Sequence, residues 1–297
     1  SYNPRYRAGF LSWIGAAQVN GKPLSVTEWN IEPFPARDRF IAPIYTASIA
    51  SLQGWDALML YGYSQSPLNK VNSGSNYSSF NDPAIMGLMP AAALLYRQNH
   101  VSLAKNSYML QLNRNNFFFT PYSPKTSKTI RTLVETSRLT ISMPNTPELP
   151  WLKNNTTIEK NSIVINNVNK DFIPINQNHI ESDTGELKRD WEKGIQTINT
   201  AHSQVASGWI GGQSIKLADT EFNISTKKAV IAVQSLNDSP IVTTDKIFIT
   251  VMARSKPAKG NKLPFLSEPI IGSLSVSAIK GLKLYPVTRM GTLADPV

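Results

Sequence analysis

Apolar positions change their spacing about a third of the way along this chain. Up to residue 100 two periods alternate. Phe10, Trp13, Ile14 and Ala17 recur at three- and four-residue intervals, which predicts an amphipathic helix over 7–19. Gly21-Lys22-Pro23 follows it, the residue types that stop a helix. Residues 24–29 form a short apolar run that reads as a buried strand. Phe40, Ile44 and Ala47 predict a second helix over 39–52, closed by Gln53-Gly54, and 57–61 reads as a second strand. A polar loop rich in Ser and Asn covers 64–80. Asp82-Pro83 then supplies an N-cap and a first-turn proline, which predicts a helix to about residue 100. Helix, strand, helix, strand, helix implies parallel strands with helical crossovers.

Beyond residue 100 the helical period fades. Short β-prone runs lie at 108–112, 116–120, 139–143, 162–165, 194–199, 204–209, 229–235 and 246–253. Turns are marked at 182–185 (Ser-Asp-Thr-Gly) and 236–240 (Leu-Asn-Asp-Ser-Pro). The tract 153–178, rich in Asn and Lys, reads as a loop. This pattern predicts an α/β region over 1–100 followed by an all-β, sandwich-like region over 101–297.

Composition narrows the chemistry. With 297 residues, 41% of them hydrophobic and 17% charged, the chain has enough apolar material for a sizeable core. No cysteine is present, so disulfides, thiolate metal sites and cysteine nucleophiles are excluded. The formal charge of +10 invites acidic partners, but the basic residues are scattered. Their densest groups are 125–131, 227–228 and 254–262. There is no helix-turn-helix, finger or RNA-binding strand motif, so nucleic acid is not an expected partner. No run approaches the ~20 apolar residues of a membrane helix, and no membrane association is expected. Ser1-Tyr2-Asn3-Pro4 lacks the basic-then-apolar grammar of a leader, and the start is expected to be a processed or truncated end. His100, His179 and His202 show no ligand spacing, Asp183, Glu186 and Asp190 read as solvated turn acids, and no metal or cofactor is expected.

One segment carries candidate chemistry. In Leu24-Ser25-Val26-Thr27-Glu28-Trp29-Asn30 an acid stands at the carboxyl end of a short apolar strand, where α/β enzymes place catalytic groups. A carboxylate there loses hydration unless it finds partners, so its alternative role is to accept hydrogen bonds from a neighbouring loop. Trp29, Trp55, Tyr61 and Tyr63 are aromatic candidates for stacking on sugar faces, and Asn30, Glu32 and Gln65 for binding hydroxyls, with plain loop polarity the equal alternative for these three. Core packing is the competing role for all four aromatics, and above all for Trp55.

Lys22-Pro23-Leu24-Ser25-Val26-Thr27-Glu28-Trp29-Asn30 resembles the seventh-strand motif of the clan-A retaining glycoside hydrolases, which are (β/α)8 barrels. Gly54-Trp55-Asp56-Ala57-Leu58-Met59-Leu60-Tyr61-Gly62-Tyr63 resembles their eighth strand, and Asn81-Asp82-Pro83 the start of their closing helix. The 229–253 hairpin is similar to part of an appended β-domain. The resemblance implies the last part of a barrel followed by a sandwich-like accessory domain. Glu28 would be the nucleophile that forms a glycosyl-enzyme ester, acting on a polysaccharide or oligosaccharide in an extracellular or periplasmic setting. The matching acid/base, commonly in an Asn-Glu pair, has no counterpart here. The resemblance therefore implies a fragment, with the remaining barrel supplied by upstream sequence or another chain. A non-catalytic carbohydrate-binding or structural β-domain is the alternative.

Overall fold

The helix Ala42–Gln53 (α2) sits at the centre of the molecule, and all twelve of its residues are buried. A helix buried around its whole circumference is covered on every side, and its polar residues Thr46, Ser48, Ser51 and Gln53 are buried with it. Its sequence, Ala-Pro-Ile-Tyr-Thr-Ala-Ser-Ile-Ala-Ser-Leu-Gln, supplies small side chains that let several elements approach closely. It stops at Gly54, whose φ of 68° is the left-handed conformation of a Schellman ending. Trp55 N donates to Ala50 O at 3.1 Å and Gly54 N to Ser51 O at 3.1 Å. An added Cβ at Gly54 would meet only the tip of the exposed Leu103 side chain, at 2.8 Å, so it is the left-handed backbone that calls for glycine.

A computed structural model describes residues 2–7, 9–70, 73–119, 123–142, 161–288 and 291–297. Among the described residues the remaining α-helices are Phe10–Ala17 (α1), Pro83–Met86 (α3), Met89–Arg97 (α4) and Lys128–Thr136 (α5). Among the described residues the strands form five sheets. Ser25–Trp29 (β1) and Ala57–Leu60 (β2) make a two-stranded parallel sheet with α2 as crossover. Ser107–Gln111 (β3), Arg138–Ser142 (β4) and Ile163–Ile165 (β5) make a three-stranded parallel sheet in the order β4-β3-β5. Residues 18–20 extend it beyond β4, with Asn20 N donating to Ile141 O and Ile141 N to Gln18 O.

The largest sheet contains His179–Glu181 (β6), Leu187–Asp190 (β7), Ile195–Asn199 (β8), Ser203–Gly208 (β9), Ala229–Ser235 (β12) and Ile247–Ala253 (β13). All its pairings are antiparallel, in the order β13-β12-β9-β8-β7-β6. Gln213–Lys216 (β10), Thr220–Ile224 (β11) and Gly272–Val276 (β16) form a second antiparallel sheet. Ser255–Lys259 (β14) and Lys262–Ser267 (β15) form a separate hairpin.

Alternation along β12 explains how the large sheet is covered. Val230 and Ala232 join the helical core around α2, whereas Ala229, Ile231 and Val233 join Phe222, Ile224 and Leu274 of the small sheet. Every residue of β9 and β12 is buried. The layers are helices, six-stranded sheet and three-stranded sheet, and the expected sandwich-like architecture is corrected on that ground. The barrel expectation is corrected as well. Two parallel strands cannot close, and among the described residues no further strand pairs with either outer edge.

Several local expectations change too. Residues 116–120, expected as a strand, fall largely in a π-helical turn, Asn115–Phe119. The helix α5 was not expected, because Lys-Thr-Ile-Arg-Thr-Leu-Val-Glu-Thr is rich in β-branched residues. Tertiary packing decides here, with Ile130 and Leu133 of α5 covering Leu110, Leu139 and Ile141. The expected helix from Asp82 onward is broken into α3 and α4, and Asp82 caps α3 by accepting from Ala84 N. Of the tract 153–178, residues 153–160 lie outside the described residues, as does Met143 at the end of an expected strand.

Two buried ion pairs tie these layers together. Arg39 binds both carboxylate oxygens of Asp82, at 2.6 and 2.7 Å, and donates to Ser255 O. Arg189 binds both oxygens of Glu135, at 2.7 and 2.6 Å, and donates to the carbonyls of Tyr2, Pro4 and Arg5. Burial alone would lower the Arg189 pKa, but the charge and hydrogen bonds of Glu135 hold it above the ordinary value. Tyr45 donates to the same carboxylate at 2.6 Å. Burial first, and Glu135 second, push its hydroxyl pKa well up, which keeps it a neutral donor.

Candidate functional site

The carboxyl ends of β1 and β2 bring most of the proposed site residues together. In β1, Val26 pairs with Leu58 and Trp29 with Leu60, so three steps on one strand face two on the other. This bulge breaks the alternation. Val26 and Trp29 both turn into the core, while Thr27 and Glu28 both face solvent. Among the described residues the Glu28 carboxylate makes no hydrogen bond or ion pair, so the alternative role of a loop acceptor is not realised. The adjoining strand end is well anchored. Tyr61 N donates to Trp29 O at 3.0 Å, and Asn30 Nδ2 donates to Tyr61 O, Asn76 O and Ser79 Oγ at 2.8, 2.8 and 3.1 Å. Asn30 Oδ1 accepts from Ile31 N. Its amide therefore organises the loop from inside.

The aromatic candidates separate into two groups. Trp29 and Trp55 are 5% and 3% exposed, and Trp29 lies against Phe10 with centroids 6.3 Å apart and planes 11° from parallel. Both are core residues. Tyr61 and Tyr63 are exposed, with edge-to-face contacts to Tyr77 at 5.9 Å and to Phe80 at 5.4 Å. The peptide between Tyr61 and Gly62 is cis. Gln65 Nε2 donates to the Tyr61 hydroxyl at 2.9 Å.

Tyr77 belongs to this surface and was missed in the sequence, where it sits inside the polar loop 64–80. It is 49% exposed at the tip of a tight turn in which Ser75 pairs with Ser78. Its only sequence signal is a large aromatic between Asn76 and two serines, which polarity-based reading treats as a loop. The exposed groups Glu28, Tyr61, Tyr63, Gln65 and Tyr77 thus share one end of the β1–β2 pair. They offer ring faces, a carboxylate and an amide, which suits stacking and hydroxyl recognition.

The other expected sites resolve differently. Asp183 accepts from Lys105 N and Asn106 N at 2.9 and 2.8 Å, and Glu186 from Ser102 N and Oγ at 2.7 Å each. These acids pin the β6–β7 turn to 102–106 and are not merely solvated. His100 and His202 meet with ring centroids 5.4 Å apart, and His100 Nδ1 bonds Ser203 Oγ at 2.8 Å. Burial first, then the neighbouring His202, lowers the His100 pKa to about 4. Among the described residues no group of three His, Asp or Glu side chains is placed to hold a metal ion, and no helix is long and apolar enough to cross a membrane.

No protein-family model, curated protein or solved structure matches the chain. The resemblance to clan-A glycoside hydrolases is therefore corrected. It rests on short strand motifs, and neither the comparisons nor the open two-stranded sheet supports it.

Proposed function

We propose that the end of the β1–β2 pair is a saccharide-binding surface. The observation that supports this reading most is the pairing of exposed Tyr61 and Tyr77 rings at the end of the strand pair whose β1 turns the Glu28 carboxylate to solvent. Pyranose rings present apolar faces to aromatics and hydroxyls to carboxylates and amides, and this surface has both kinds of group. Tyr61 and Tyr77 stack, Tyr63 extends the aromatic area, and Glu28 and Gln65 accept from or donate to hydroxyls. A polysaccharide ligand places the protein in an extracellular or periplasmic setting. Affinity electrophoresis of the whole chain through gels containing a panel of polysaccharides tests the reading. Retardation by at least one polymer, weakened about tenfold in Tyr61→Ala/Tyr77→Ala, is expected for the loss of two ring contacts. Unchanged retardation in that variant would place the binding surface elsewhere.

A second reading, glycosidic bond hydrolysis with Glu28 as nucleophile, is favoured by the bulge that turns an unpartnered carboxylate to solvent. A retaining mechanism needs a second carboxyl about 5–5.5 Å away to protonate the leaving oxygen. In this reading another polypeptide supplies it. An electrophilic glycoside probe should then label Glu28 in the assembled protein, and Glu28→Gln should abolish labelling. Labelling that persists in Glu28→Gln would remove this reading and leave the binding surface intact.

A further inference from the structure

The β14–β15 hairpin is fastened to the loop that carries Tyr77. Gly74 N donates to Asn261 O at 2.9 Å, and Ser73 bridges Lys262 in antiparallel fashion. Beneath these bonds Phe34 meets Phe265 edge to face at 6.3 Å. A Cβ at Gly74 would lie 2.5 Å from Phe34 and 3.0 Å from Phe265, so only glycine allows the loop to settle onto the two rings. Asn76, next to Tyr77, accepts from Phe34 N at 2.7 Å. The hairpin tip is therefore held in a fixed relation to the tyrosine surface.

That tip is strongly basic. Lys259 and Lys262 are direct register partners across its turn. Like charges placed opposite one another destabilise a strand pair, so this arrangement works against the hairpin unless an anion lies between them. Lys256 stands on the same hairpin, and Lys70 lies three residues before Ser73. All four lysines are exposed, and none has an ion pair or side-chain hydrogen bond among the described residues. At the other end of the hairpin Glu268 is engaged by Arg254 at 2.7 and 3.0 Å.

We infer that the saccharide bound at this surface is an anionic polysaccharide, whose carboxylate or sulfate groups are held by Lys259 and Lys262 while Tyr61 and Tyr77 stack on its rings. This inference rests on the saccharide-binding reading above. Tyrosines and lysines together also suit single-stranded nucleic acid. The Glu28 carboxylate and the Gln65 amide favour a sugar polymer, since they match the free hydroxyls that its rings carry.

The test compares one backbone in two charge states: polygalacturonate and its highly methyl-esterified form, with poly(dT) as a third gel. Polygalacturonate should retard the chain more strongly than the ester, and the difference should shrink as salt is raised. Lys259→Gln/Lys262→Gln should weaken retardation by polygalacturonate about fivefold, as expected for two exposed charge contacts, and leave the ester unchanged. Equal retardation by both polymers, insensitive to salt and to the lysine pair, would overturn the anionic class while leaving saccharide binding standing. Retardation by poly(dT) alone would overturn both.

Discussion

The strand pairs β9–β12 and β1–β2 are built on opposite terms. In β9 and β12 every residue is buried, both edges are paired, and each face meets a different apolar layer. In β1 and β2 each strand has one partner, one face is open, and a bulge turns Glu28 to solvent. Parallel strands are ordinarily covered on both faces, which makes the open pair the unusual one. The difference teaches where each property resides. Cohesion is concentrated in the large sheet and the Glu135–Arg189 pair that reaches it, and exposed aromatic and polar groups gather at the two-stranded sheet.

The strongest way to break the comparison is to remove an ion-pair partner from the cohesive region. Glu135→Ala leaves Arg189 charged and buried and deprives Tyr45 of its acceptor. A loss of about 3–5 kcal/mol is expected in chemical unfolding, the usual consequence of an orphaned buried charge. Ile231→Ala tests the layer between the two antiparallel sheets. Ile231 is 2% exposed and faces the Phe222 and Ile224 core. Its truncation should cost about 2–5 kcal/mol through lost burial and a cavity. A cost under ~1 kcal/mol for either variant would show that cohesion does not lie in this sheet.

Acid should act on the same cohesive region through His100. Its folded pKa of about 4 lies below the ordinary value of 6.5. Between those values the unfolded chain takes up a proton that the folded chain refuses. This contribution to stability is complete above about pH 6.5, falls as the pH drops toward 4, and changes little below that. Melting curves from pH 8 to pH 4 should show the decline in the wild type and a flatter response in His100→Gln. An equally steep decline in the variant would assign the acid sensitivity to other groups.

The sequence made these two regions unequally legible. The central helix, the Asp82 cap and the 229–253 hairpin follow from local rules, because periodicity, capping oxygens and turn residues act within a few positions. What stayed hidden depends on distant partners. The helical state of 128–136 is decided by packing on β3 and β4, and the small sheet β10-β11-β16 needs residues 272–276 to return beside 220–224. At the site, the position of Glu28 at a strand end was readable, but its bulge was not, since a bulge is a property of the β1–β2 register. Trp29 reads as a candidate sugar platform in the sequence, yet Phe10 lies against it in the core, and Tyr77 reads only as part of a polar loop. The resemblance to a barrel failed for the same reason. A strand motif encodes one strand, whereas closure is a relation among eight.

The sharpest form of the comparison uses substitutions with small effects on stability. Tyr61→Ala and Tyr77→Ala remove half-exposed rings from an open face and should shift unfolding by no more than ~0.5 kcal/mol each. The same changes are expected to weaken polysaccharide retardation about tenfold in combination. Lys259→Gln should go further in the same direction. It relieves the repulsion facing Lys262 and so should raise stability by a few tenths of a kcal/mol even as anionic binding falls. Opposite signs for stability and binding at a single residue would mark that residue as present for recognition. If stability and binding fell together, Lys259 would be holding the hairpin in place, and recognition would have to be assigned to the tyrosines alone.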